Sequence, residues 1–154
     1  MEHAFTPQGE LVENTIAEAS PIPSVSIVHV EGDLFFGATD LFLEQMRLLV
    51  RQSRLQAVIL RMRNAHNLDA TSALAIGELH DFAMKRGCVV LVTDLQPDLQ
   101  ALFARANLNA RLGLENIFPC DPTNATQAMR DALRRVHSLK GISSPEIILY
   151  ARPN

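Results

Sequence analysis

The chain has 154 residues, of which 47% are apolar and 20% charged, a size and balance that suit one globular domain with its own core and not a disordered chain. Fourteen basic and 17 acidic residues give a formal net charge of −3, which argues against a basic nucleic-acid binder or a polybasic membrane-hugging surface. Two cysteines, Cys88 and Cys120, are too few for a disulfide scaffold and fit a reducing compartment.

The apolar runs, such as those at 57–60 and 88–92, fall far short of the roughly 20 residues that a spanning helix needs. Glu2, Glu10, Glu13 and Glu18 with no early Lys or Arg predict no secretory signal. The expectation is a cytoplasmic domain without direct membrane insertion.

Residues 1–23 read as a polar lead-in that ends at Pro21 and Pro23, with a short helical turn conceivable around 11–19. Val25–Val30 is rich in β-branched residues. Glu31-Gly32-Asp33 then reads as a turn and Leu34–Gly37 as a second strand, so an opening hairpin is expected. Phe42, Met46, Leu49 and Val50 repeat at helical spacing. Thr39 is the expected N-cap of that helix. Ala57–Met62 is almost continuously apolar and suits a buried strand.

The alternation continues. Ala75, Ile76, Leu79, Phe82 and Ala83 share one helical face that closes at Gly87. Val89–Val92 reads as a buried strand, and Leu99, Leu102, Phe103 and Ala106 as a helix opened by Pro97. After a loop at 109–113, residues 116–118 form a short strand. Ala125, Ala128, Met129, Ala132 and Val136 stripe a last helix that ends near Gly141. The tail 142–154, with its apolar stretch Ile147–Tyr150, could pack on the domain or pair between two copies. Strands alternating with about four helices predict an α/β fold with a mostly parallel sheet.

Catalytic signatures are missing: the chain has no G-x-S-x-G elbow, no glycine-rich phosphate loop and no H-E-x-x-H. His3, His29, His66, His80 and His137 lack the spacing of metal ligands. Asn124-Ala125-Thr126 matches a glycosylation sequon, which a cytosolic chain would never present to that machinery. No enzyme activity, cofactor or metal is expected.

One stretch stands apart. Asp69-Ala70-Thr71-Ser72 opens a helix directly after the buried strand. Asp69 can cap that helix, and its free N–H groups with the hydroxyls of Thr71 and Ser72 would favour an anion or a phosphate group. From local chemistry ordinary capping is the favoured account of these residues, and a phosphorylation or recognition site is the alternative. Arg61 and Arg63 fall on one side of the strand in period 2. They either snorkel or pair with carboxylates, or they face an anion beside the Asp69 loop.

Three blocks, LFFGATD (34–40), ILRMRNAHNLDAT (59–71) and QPDLQALFARANL (96–108), resemble a STAS domain. They are most similar to the cytoplasmic C-terminal STAS domain of bacterial SulP sulfate/anion transporters. The resemblance covers about residues 24–138 and places the domain at 24–141. It implies a non-enzymatic regulatory or protein-interaction module whose partner is a transporter membrane domain or a cytosolic regulatory protein. In the anti-sigma-factor antagonist branch of the family, a serine directly after the loop aspartate is phosphorylated. Here that position is Ala70, so Thr71 and then Ser72 are the nearest hydroxyls. The alternative is therefore a free-standing regulator controlled near Thr71. The family resemblance also implies that weak nucleotide binding at 69–72 is conceivable, and a homodimer is an expected assembly.

Overall fold

A computed structural model describes residues 2–5, 11–13, 25–33, 38–52, 55–66 and 68–140. Six strands, β1 (Glu2–Phe5), β2 (Leu11–Glu13), β3 (Val25–Asp33), β4 (Ala57–His66), β5 (Val89–Leu95) and β6 (Ile117–Pro119), form one sheet in the order β2-β1-β3-β4-β5-β6. All neighbouring pairs are parallel except β1 with β2. The helices are α1 (Ala38–Gln52), α2 (Ala70–Met84), α3 (Pro97–Arg105), α4 (Leu108–Leu112) and α5 (Gln127–Lys140).

Successive residues of a strand face opposite sides of the sheet, and the core divides accordingly. Val28, Val58, Leu60, Met62, Val90 and Val92 pack with Phe42 and Met46 of α1, Ile76 and Leu79 of α2, and Leu99 and Phe103 of α3. Val25, Ala57, Ile59 and Leu91 pack with Met129, Ala132, Leu133 and Val136 of α5. β4 and β5 are thus covered on both faces, which is why they read as unbroken apolar runs.

Gly87 closes α2 as expected. Its φ is +71°, and the N–H groups of Cys88 and Gly87 donate to the carbonyls of Ala83 and Met84 at 2.9 and 3.1 Å. This is a Schellman closure, in which glycine carries the left-handed residue at least cost.

Several elements differ from expectation. Glu31-Gly32-Asp33 is not a turn but the end of β3. It pairs with Asn64, Ala65 and His66 of β4 past a bulge between His29 and Glu31, and the offered strand edge outweighs the local turn preference of Gly and Asp. The second arm of that hairpin, 34–37, lies outside the described residues. An antiparallel pair does open the fold, but earlier, between β1 and β2. The sheet thus reaches into the segment read as a lead-in, and Leu11–Glu13 is strand, not helical turn. Thr39 lies inside α1, one residue past its start, and is buried. The loop at 109–113 is largely α4, which buries Leu108 and Leu112. α5 starts after Ala125, which stays exposed in the preceding turn. The tail beyond residue 140, including Ile147–Tyr150, lies outside the described residues.

Candidate functional site at the start of α2

β4 delivers the chain to the first turn of α2, where Asp69 takes an extended conformation (φ −115°, ψ −175°). Its Oδ1 accepts from the backbone N–H of Ser72 at 3.0 Å and from the Ser72 hydroxyl at 3.2 Å. The Asp69 carbonyl accepts from the N–H of Ala73 at 3.0 Å. The cap therefore satisfies a first-turn donor that would otherwise face solvent unpaired.

The consequence is a division between the two hydroxyls. Ser72 is buried beneath its bond to Asp69. Thr71 is exposed, together with Asp69 and Ala70. One turn further on, Leu74 leaves 61% of its surface in contact with solvent, and Glu78 is exposed after it. Residues 70, 71, 74 and 78 recur at helical spacing on one side of α2, while Ala73, Ile76 and Leu79 on the other side enter the core. Of these four residues, Leu74 is the large apolar one.

Arg61 does not join this terminus. It alternates with Leu60 and Met62, which face α2, so its side chain lies on the opposite face of the sheet. There its Nε stands 3.3 Å from Oδ2 of Asp94, with 11% and 2% of the two side chains exposed. Asp94 holds φ +59° at the bulge where β5 meets β6. That conformation turns the carboxylate out of the strand's regular alternation, and Asp is among the few side chains that tolerate it. Arg63 sits beside the β4 bulge, where the inward-facing positions jump from Met62 to Ala65. The period-2 relation between the two arginines ends there, and Arg63 is exposed.

A further cluster, with no local sequence signal, braces α2 against α4. Arg111 donates through Nε to Asp81 Oδ1 at 3.3 Å and through Nη2 to Oδ2. The guanidinium bonded to Asp81 holds that carboxyl below its ordinary range. Arg111 also crosses Gly77, where an added Cβ would overlap the guanidinium. His80 beside it is held below its ordinary 6.5, first by burial of the ring. Its Nδ1 is buried without a hydrogen-bond partner among the described residues.

Among the described residues no group of three His, Cys, Asp or Glu side chains could hold a metal ion. No helix among them is long and apolar enough to cross a membrane.

Comparison with known proteins agrees with this architecture. The STAS domain family model matches residues 17–124. A putative sulfate transporter, YvdB of Bacillus subtilis, is 28% identical over 96 residues, a match spanning 62% of this chain and 18% of that protein. The chain thus corresponds to a small fraction of that relative's length. The crystal structure of a sulfate transporter family protein from Wolinella succinogenes superposes with a TM-score of 0.64 at 25% identity, covering 83% of this chain and 96% of that one. The SulP transporter STAS domain from Vibrio cholerae gives 0.55 at 21% identity over 75% and 88% of the two chains, a likeness of fold. With its parallel sheet, its aspartate-capped α2 and this family match over most of its length, the chain belongs to the STAS domain family.

Proposed function

We propose that this chain is a non-enzymatic regulatory domain of a SulP-type sulfate/anion transporter, acting at the cytoplasmic face of the membrane through the outward side of α2. The observation that carries this reading is the STAS family match over residues 17–124, and exposed Leu74 marks the outward side of α2 as the contact. A leucine with 61% of its surface exposed, flanked by Ala70 and Thr71 and rimmed by Glu78, is a small apolar contact with a polar border. Interfaces have that anatomy. Likeness to sulfate transporter family proteins supports a transporter membrane domain as the partner. Binding of the purified chain to the detergent-solubilised membrane domain of its cognate transporter tests the reading. Saturable binding supports it, and no binding at micromolar concentrations of both contradicts it.

A second reading rests on Thr71. Its exposed hydroxyl, beside a serine that is buried and bonded, makes Thr71 the accessible acceptor for a kinase of the anti-sigma type. A free-standing regulator would incorporate phosphate at Thr71 and lose it in Thr71→Ala, whereas Ser72→Ala would still be phosphorylated.

A further inference from the structure

Away from the start of α2, three arginines converge on one aromatic ring. Phe82 of α2 is half-buried and packs against the larger core cluster. The guanidinium carbons of Arg47, Arg51 and Arg86 lie 5.7, 5.4 and 4.0 Å from its ring centroid. All three fall within the range of cation–π attraction, about 6 Å. Arg47 and Arg51 stand one turn apart on α1, and Arg86 lies in the turn that closes α2. Exposed Lys85 adds a further cation beside Arg86.

The acidic residues neutralise this cluster only in part. Glu78 Oε2 lies 3.6 Å from Arg47, and Asp81 is taken by Arg111. Among the described residues neither Arg51 nor Arg86 forms an ion pair, although the whole chain carries 17 acidic residues and is net negative. The C-terminal poles of α1 and α2 each offer only about half a negative charge. With Arg47 paired to Glu78, the two guanidiniums of Arg51 and Arg86 on the same ring retain a demand for an anion.

We infer that Arg47, Arg51 and Arg86, organised on the Phe82 ring, form a binding site for a phosphate-class oxyanion. The planar fork of each guanidinium matches two oxygens of a phosphate group, and two or three forks together would chelate it. Attraction to the ring holds the guanidinium heads in place, so that less side-chain freedom is lost on binding. The phosphate could belong to a soluble phosphate compound or to the headgroup of an anionic lipid, and the chemistry at the arginines is the same. The inference does not rest on the α2 docking face, although Glu78 borders both.

The test titrates the full chain with inorganic pyrophosphate by calorimetry, and separately with vesicles of neutral phosphatidylcholine alone or mixed with phosphatidylglycerol. The variant Arg51→Gln/Arg86→Gln removes the two unpaired forks at exposed positions, and Arg51→Lys/Arg86→Lys keeps the charge without the fork. Binding of pyrophosphate that the Gln variant weakens about tenfold or more, with the Lys variant in between, supports the site with a soluble ligand. Binding to the anionic vesicles alone, lost in the same variant, supports it with a lipid source. No binding to either probe, or binding unchanged in the Gln variant, overturns it.

Discussion

Asp69 and Ser72 are joined twice, the carboxylate accepting from both the backbone N–H and the hydroxyl of the serine at 3.0 and 3.2 Å. This pair turns one hydroxyl of the α2 terminus inward and leaves the other, Thr71, at the surface. It also fixes the first turn, one turn before Leu74. Stability and the candidate interaction face thus meet in one short segment.

The cap makes a direct prediction. Asp69→Ala should lower unfolding free energy by about 1–2 kcal/mol, in the upper part of the range for lost N-caps because the Ser72 hydroxyl loses its acceptor as well. Asp69→Asn, which keeps an acceptor oxygen, should cost less. Thr71→Ala should be nearly neutral. Urea unfolding of the three variants orders them.

Arg61 and Asp94 behave as a buried pair. Asp94→Asn suits the left-handed backbone but strands the Arg61 charge, and should cost about 3 kcal/mol. Arg61→Met combined with Asp94→Asn should recover more than half of that loss. A double-mutant cycle in denaturant measures the coupling, and strictly additive losses would show that the two charges do not stabilise each other.

Acid sensitivity should come first from His80. Burial lowers its pKa in the folded state below the ordinary 6.5, so the unfolded chain binds the extra proton first. The stabilisation is complete above pH 6.5 and is lost progressively as pH falls through the lowered folded value. Asp81, lowered by its bond to Arg111, adds a loss in the same direction in a more acidic window, below its ordinary 3.8. Melting temperatures between pH 7.5 and 5 should decline in the native chain and decline less in His80→Gln.

How legible this protein is in its sequence depends on where the relevant partner lies. β4 and β5 are readable because both of their faces are apolar, and α2 is readable at both ends because Asp69 and Gly87 act on their own neighbours. β1 is not, since Glu-His-Ala-Phe has no alternation and its place comes from main-chain pairing with β3. The extension of β3 through Gly32 is hidden for the same reason: only β4 supplies the edge. At the site, the capping role of Asp69 is local chemistry. The burial of Ser72, the Asp94 partner of Arg61 and the arginines on Phe82 arise from residues brought together by the fold, and no spacing announces them.

The claim that α2 presents a docking face is tested most directly by titrating the solubilised cognate membrane domain with the native chain and with Leu74→Arg. Leu114→Arg, at another exposed leucine, is the control. The prediction is a loss of about tenfold or more in affinity for Leu74→Arg, equivalent to at least about 1.4 kcal/mol, with unfolding midpoint unchanged and the control binding as the native chain does. Equal affinities of Leu74→Arg and the native chain would contradict the account.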